Sequence, residues 1–439
     1  MKLERLSLAH CGGFEQLDIT FEPDVTLIAG VNGVGKSTLL YALAVVLSRA
    51  MPEFTPSRSP AIYFTDDNIH GDKASLEVSA RLRLGEQIFN AGVQRVSAAE
   101  DESDRFILLR QDQSQSSAES TGFADALSTR TLTGDLKAGM KDTRAVLTAL
   151  KISANPPLAV YFTPKRQLPG QPRSLPLDKP FDPSIAYNRA LHDREIELRE
   201  FMHWFHTHES LGAEHEPRRL KVLDALRNVV AELVPEFSGL RIQEEPRLGF
   251  VVDKRGQPFY LHQLSDGERG LLALVFDLTR RLAIANPDSD NPIAEGVALV
   301  MIDEIELHLH PKWQRDVLGR LRTVFKNCQF VVTTHSPLVL GEVEARSVRF
   351  LEYQDGKVVA TIPAEAYGMD ANRILQEFMG APVRNRQVDD ALKALFELID
   401  EERFDEAREK IRALENPLGE GEPELTRASS LIKFLEGSE

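Results

Sequence analysis

The chain has 439 residues, 42% of them hydrophobic and 27% charged, with a formal net charge of −15. That size and apolar content bury one large core or two modest ones, and the acidic balance excludes a generally basic nucleic-acid coat while permitting a local basic patch. Two cysteines, Cys11 and Cys328, exclude a disulfide framework or a zinc hook within one chain and read as small apolar fillers.

The opening Met1-Lys2-Leu3-Glu4-Arg5-Leu6 alternates like a strand rather than a signal peptide, and no run approaches the roughly 18 to 20 apolar residues that span a bilayer, so a cytoplasmic chain without a membrane partner is expected. Residues 1–96 alternate in short apolar and polar runs, as in Leu76-Glu77-Val78-Ser79-Ala80-Arg81-Leu82, and predict a β-rich lobe. Within it, the apolar run Val25-Thr26-Leu27-Ile28-Ala29 leads into Gly30-Val31-Asn32-Gly33-Val34-Gly35-Lys36-Ser37-Thr38, followed by the helical pattern Leu39-Leu40-Tyr41-Ala42-Leu43-Ala44. Strand, glycine-rich loop and helix in that order make a phosphate-binding P-loop. The glycines let the backbone curl round an anion, and the loop amides and helix end point at it. Asn32, Gly33 and Gly35 are the cradle, Lys36 reaches the β/γ-phosphates, Ser37 offers a hydroxyl to Mg²⁺, and Thr38 begins the helix.

From Ser97 to about Thr133 the composition turns to Ser, Gln, Asp, Glu and Thr, which supplies little core. Residues 97–150 are read as a polar, partly mobile insertion. A buried strand returns at Leu158-Ala159-Val160-Tyr161-Phe162 within 151–185, followed by a proline-rich connection. Residues 186–239 carry two helical patterns separated near Gly212, with Leu220, Leu223, Leu226, Val229, Val230 and Leu233 on one face. At about 1.5 Å per residue so short a hairpin excludes the long coiled-coil arms of chromosome-organising ATPases. In its first half, His203 and His206 share a face while His208 does not, which argues for a packed or solvated patch and against a metal site. Lys165, Arg166 and Arg173, and separately Arg218, Arg219 and Lys221, are candidate DNA-facing clusters, although charge clusters are more often simply solvated.

Residues 240–363 hold three further motifs. Leu264-Ser265-Asp266-Gly267-Glu268-Arg269-Gly270 stands before an apolar helix, where Ser265 and Gly267 form a second candidate phosphate cradle, or an ordinary helix cap. Val297-Ala298-Leu299-Val300-Met301-Ile302-Asp303-Glu304 is a buried strand ending in two carboxylates. At the carboxyl edge of a parallel sheet, Asp303 would hold Mg²⁺ and Glu304 would polarise the attacking water as general base. Phe330-Val331-Val332-Thr333-Thr334-His335-Ser336-Pro337 is a buried strand ending in a histidine. Residues 364–439 are predicted helical, with one stripe of Val388, Leu392, Leu395, Phe396 and Ile399 and another of Phe404, Ala407, Ile411 and Leu414.

The order P-loop, LSDGER, VMIDE, TTHSP, together with Ile305 to Pro311 and the opening Leu6 to Phe14, resembles the ABC-type ATPase heads of the RecF, OLD and SMC group. That resemblance implies an α/β P-loop head with a short helical insertion, binding ATP and Mg²⁺ and hydrolysing ATP. It implies two heads sandwiching ATP, with Ser265 and Gly267 meeting the γ-phosphate of the partner head. Lys36, Glu304 and His335 would then be catalytic, His335 sensing the γ-phosphate, and the segment from Glu306 to His310 would lie near the dimer seam. Asp266 departs from the transporter pattern, which has Gly there. The Gln-loop position is open, with Arg166 or Gln167 the candidates.

Ala186-Tyr187-Asn188-Arg189, Phe201-Met202-His203-Trp204-Phe205 and Tyr367 to Leu375, followed by the helical tail, look like the PtuA family of Septu and retron-associated anti-phage ATPases. Membership would imply an HNH nuclease partner of the PtuB kind, to which the helical tail would be suited, with DNA as a further ligand. Three alternatives stand beside it. A RecF-like recombination mediator shares the head and short arm. An OLD-like nuclease requires a DxD metal set that the acidic tail lacks. A binding module with a dead ATPase is disfavoured by Lys36, Asp303, Glu304 and His335.

Overall fold

In the computed structural model, the described residues are 1–97, 104–111, 134–151, 155–166, 168, 181–214, 217–382, 384–419 and 421–437. Two compact units divide the chain, Met1–Ala371 and Asn372–Glu439, so the unit boundary falls a few residues beyond the 363/364 division expected from sequence.

The first unit is built on two main sheets. In the first, β1 (Lys2–Cys11) lies between β2 (Phe14–Thr20) and β4 (Ser75–Leu84), which continues through β5 (Gln87–Val96) to β6 (Arg105–Gln111), antiparallel throughout. Alternation puts Leu76, Val78, Ala80, Leu82 and Leu84 on the buried face of β4. Strand β6 corrects the expectation of a core-poor insertion, because Ile107 and Leu108 are buried. The amide of Arg110 donates to Thr143 Oγ1 at 2.8 Å from helix Gly134–Leu150, which packs against β6. Segments 98–103 and 112–133, where a mobile stretch was expected, lie outside the described residues.

The second sheet has the order β14-β13-β3-β12-β11-β7, comprising β3 (Val25–Gly30), β7 (Leu158–Phe162), β11 (Ala298–Ile302), β12 (Gln329–Thr334), β13 (Val348–Gln354) and β14 (Lys357–Thr361). All neighbours are parallel except β14 on β13. Strands β3, β7, β11 and β12 are buried at every residue, as a parallel sheet covered on both faces requires. Helix Lys36–Phe54 packs on β4 and β5 of one sheet and on β3 and β7 of the other. Leu39, Leu40 and Ala42 to Leu47 are fully buried, the all-round apolar pattern of a central helix.

A third, antiparallel sheet, β8 (Phe237–Gln243), β9 (Gly249–Lys254) and β10 (Gln257–Tyr260), leads into helix Asp266–Ala285. The helical pair is Leu198–Glu214 and Pro217–Leu233. The break between them falls just after Gly212, which is itself buried near the end of the first helix, where a Cβ would come within 2.8 Å of Leu220 Cγ. Phe201 stacks on Phe276 at 4.2 Å between ring centroids and meets Phe250 at 5.1 Å, so the first helix is locked to the helix that follows Leu264-Ser265 and to β9.

The second unit carries helices Arg386–Asp400, Phe404–Leu418 and Pro423–Glu436. Leu392, Leu395 and Ile399 of the first, Ala407 and Ile411 of the second, and Leu425, Ala428 and Ile432 of the third form one core, with Val388, Phe396, Phe404 and Leu414 packed against it. The apolar stripes seen in the sequence are thus spent within the unit and do not form a free docking face. Cys11 and Cys328 are buried free thiols. Among the described residues no helix is long and apolar enough to cross a membrane.

Candidate nucleotide-binding and hydrolysis site

Four loops leave the carboxyl ends of β3, β12, β11 and β7 at one edge of the parallel sheet, the edge at which open α/β sheets bind ligands. Register fixes which residues meet. Thr334 of β12 pairs with Ala29 of β3, and Ile302 of β11 pairs with both Val332 and Phe162.

At the end of β3, Gly33 and Gly35 adopt φ of 80° and 102°, which only glycine takes without strain. A Cβ on Gly35 would also come within 2.5 Å of Phe14 Cζ. Fully buried Phe14 follows the turn Gly12-Gly13, so the first hairpin props the loop from below. The helix starts at Lys36, two residues earlier than expected. Its cap is Gly35, with no side-chain hydrogen bond to the first-turn amides and no acidic residue there, which leaves the positive helix end open to an anion. Asn32, Gly33 and Ser37 are exposed at this mouth. Thr38 packs with its methyl toward Gly12.

Lys36 is only 5% exposed. Its ammonium donates to the carbonyls of Gly30 and Val31 at 2.8 and 2.9 Å. Burial draws its pKa down to about 8, against the opposing fields of Glu306, Asp303 and Glu304. Replacing two carbonyls by phosphate oxygens exchanges dipoles for charges and favours the protonated amine.

Asp303 is 2% exposed and accepts from Thr333 Oγ1 at 2.5 Å, while Thr333 Oγ1 accepts from the Glu304 amide at 2.8 Å. Asp303 has no ion-pair partner among the described residues. A buried carboxylate in that state is costly, a need that a divalent cation would meet. Glu304 has φ 50°, a left-handed conformation that costs a side-chain-bearing residue about 1 to 3 kcal/mol and clusters at functional sites. Arg166 clamps this turn from β7, donating to the carbonyls of Asp303 and Glu304, both at 2.6 Å. A guanidinium is no metal ligand, so Arg166 is not a Gln-loop equivalent; Gln167 lies outside the described residues.

His335 Nδ1 is 3.3 Å from Lys36 Nζ. Burial and the Lys36 charge lower its pKa from the ordinary imidazole value, which favours the neutral ring. Glu306 ties the loop after β11 to this histidine: its carboxylate accepts from Thr334 Oγ1 at 2.8 Å and from the His335 amide. The sequence reading placed Glu306 only near a seam. Acidic residues in a loop have no periodicity to announce such a bond.

Ser265 caps helix Asp266–Ala285 in a reciprocal box with Glu268, its hydroxyl donating to Glu268 Oε2 at 2.9 Å, while Lys254 pairs with Glu268 Oε1 at 2.6 Å. Ser265 is exposed and Gly267 buried. A Cβ at Gly267 would collide with the His308 carbonyl, so this glycine has an intramolecular reason as well as the expected one in trans. The helix is anchored by fully buried Asp277, which pairs with Arg194 at 2.6 Å, Arg281 at 2.7 Å and Arg280 at 3.3 Å. Burial would raise the Asp277 carboxyl, but the guanidiniums of Arg194, Arg281 and Arg280 outweigh it and hold it well below the usual carboxylate range.

The candidate basic clusters are not assembled into one surface by the described residues. Lys165 pairs with Asp193 at 2.6 Å and Arg218 with Asp290 at 3.4 Å, Arg166 is buried, and Arg173 lies outside the described residues. His208 is buried with Nδ1 2.9 Å from the Trp204 carbonyl.

The parallel sheet, its central P-loop helix and the carboxylate pair on the adjoining strand edge define an ABC-type ATPase head of the RecF and SMC-like group. The chain belongs to the family described as AAA domain, putative AbiEii toxin, Type IV TA system, whose model matches residues 25–341. It is 26% identical over 412 residues to the Retron Vc95 probable ATPase of Vibrio cholerae serotype O1 biovar El Tor, covering 85% of this chain and 78% of that protein. Over 132 residues it is 43% identical to the Retron Ec83 probable ATPase of Escherichia coli, 30% of this chain and 24% of that one. Over 122 residues it is 34% identical to the Septu protein PtuA of Bacillus mycoides (strain KBAB4), 28% and 16% respectively. The last two matches thus span a quarter or less of those relatives' length.

Proposed function

We propose that the chain is the ATP-binding and ATP-hydrolysing head of an anti-phage defence complex, closing as a head-to-head dimer around ATP and controlling an associated HNH nuclease. The observation that carries the ATPase reading is the convergence of Lys36, Asp303, Glu304 and His335 on one sheet edge, with the carboxylate of Asp303 buried and without an ion-pair partner among the described residues. The retron and Septu relatives support the defence setting.

In this reading the amides of Gly33 and Gly35 and the ammonium of Lys36 hold the β/γ-phosphates, and Ser37 and Asp303 hold Mg²⁺. The ion, when bound, neutralises charge developing on the transferring phosphoryl group. Glu304 polarises the attacking water, and His335, neutral and tied to Glu306, presents its ring toward the γ-phosphate. Ser265 and Gly267 of a second copy close the site.

The test is purification of tagged Glu304→Gln protein from its host with ATP and Mg²⁺, followed by light scattering and mass spectrometry. A doubled mass with ATP and recovery of an HNH nuclease are expected. No ATP-dependent mass change removes the composite site. Recovery of DNA-repair proteins without a nuclease favours a recombination mediator instead.

A further inference from the structure

Arg166 is 7% exposed and has no ion-pair partner among the described residues. Its guanidinium donates to four backbone carbonyls: Asp303 and Glu304 at 2.6 Å, Ile305 at 3.4 Å and Thr163 at 3.3 Å. Three of these belong to consecutive residues. Carbonyls of one tight turn pointing the same way repel each other, and buried backbone acceptors require donors. A planar fork with five N–H groups meets that need, whereas an ammonium does not.

The turn that these bonds hold contains left-handed Glu304. Nothing local in its sequence favours that conformation, since glutamate, unlike glycine, disfavours positive φ. The tertiary clamp supplies what the local chain withholds.

Arg166 also faces helix Asp266–Ala285, the signature helix that carries Ser265 and Gly267 at its start. Its own carbonyl lies 3.7 Å from where a Cβ on Gly270 would sit, and it lines a small cavity together with Gly270, Leu271 and Leu274 of that helix and Ile305 and Leu307 of the loop. One turn earlier in the helix, Gly267 is pressed on the His308 carbonyl. The first turns of the signature helix and the catalytic turn therefore share a packed seam with Arg166 between them.

We propose that Arg166 is a positioning residue for ATP hydrolysis: it shapes the Asp303-Glu304-Ile305 turn so that Glu304 is aimed, and it links that shape to the placement of the signature helix. This rests on the reading that the site hydrolyses ATP. A displacement of about 1 Å at a reacting group costs about 100-fold in rate, and that is the scale expected when the clamp is lost.

Arg166→Met and Arg166→Lys are compared with wild type and with Lys36→Ala. In Arg166→Met, kcat falls about 100-fold while the ATP dissociation constant stays within about threefold. Hydrogen exchange of the 303–309 amides quickens without nucleotide, and Arg166→Lys, which keeps the charge and loses the fork, shows both effects more weakly. Unchanged kcat, or a nucleotide affinity that collapses in step with kcat, overturns the proposal. Should Arg166→Met not fold, the same two readouts on Arg166→Lys decide. If wild type shows no Lys36-dependent turnover, the hydrolysis reading fails on its own, and exchange at 303–309 still decides whether Arg166 holds the turn: faster exchange supports that, unaltered exchange overturns it.

Discussion

The ammonium of Lys36 stands 3.3 Å from Nδ1 of His335, joining the P-loop to a residue 299 positions later in the chain. Parallel pairing of β3 with β12 brings the two together, because Thr334 lies beside Ala29 and each strand then opens into its functional loop. In this contact the lysine is satisfied by the carbonyls of Gly30 and Val31 and by an imidazole nitrogen. Phosphate oxygens would replace all three. Lys36→Ala is expected to abolish phosphate release, a loss of at least about 100-fold in a steady-state assay. Retained turnover would assign the activity to a contaminant.

Glu306 holds His335 through two bonds, to the Thr334 hydroxyl and the His335 amide. Bonds to a charged acceptor contribute about 1.5 to 3 kcal/mol. Glu306→Ala should lower thermal stability by that order and reduce turnover, whereas Glu306→Gln, which keeps one acceptor, should fall between. Equal behaviour of the two variants would show that the carboxylate does not act through these bonds.

Gly267→Ala tests the seam without any partner. The added methyl meets the backbone carbonyl of His308, which cannot rotate away, so overpacking of about 1 to 3 kcal/mol is expected. Denaturation of the nucleotide-free protein measures it. A variant as stable as wild type would mean that the glycine serves only contacts in trans.

The Asp277 network gives a pH dependence. Its folded pKa is depressed by Arg194, Arg281 and Arg280 against the effect of burial, so the unfolded chain takes up the proton first. Its stabilisation is complete above the unfolded value of about 3.9 and is lost progressively as pH falls below it. Asp277→Asn should cost about 3 to 5 kcal/mol at pH 7, since it leaves buried guanidiniums uncompensated. In urea unfolding the gap between variant and wild type should narrow below about pH 4. A gap that stays constant from pH 7 to pH 3 contradicts the assigned charge state.

The C-terminal unit has its own core. Leu395→Ala, at a fully buried position, should cost that unit about 2 to 5 kcal/mol while leaving ATP turnover unchanged. A calorimetric scan would show one transition moving. Turnover that falls with it would mean that the head depends on this unit.

Sequence by itself determined the class of the protein. Val25 to Thr38, Val297 to Glu304 and Phe330 to His335 announce themselves through composition: buried parallel strands are unbroken apolar runs, and the loops after them carry residue types dictated by phosphate and metal chemistry. The helical stripes of the tail were legible for the same reason, that burial imposes a period. What the stripes touch was not, and the unit's core absorbs them. Strand β6 was hidden by its polar flanks. Only the tertiary structure decided the roles of Phe14 under Gly35, Glu306 on His335, Gly267 against His308 and Arg166 on three consecutive carbonyls. Each is a single contact between segments far apart in the chain, made by an ordinary residue type at no repeating interval. Periodicity reports what a residue's own element buries, and it is silent on which distant backbone group a side chain will meet.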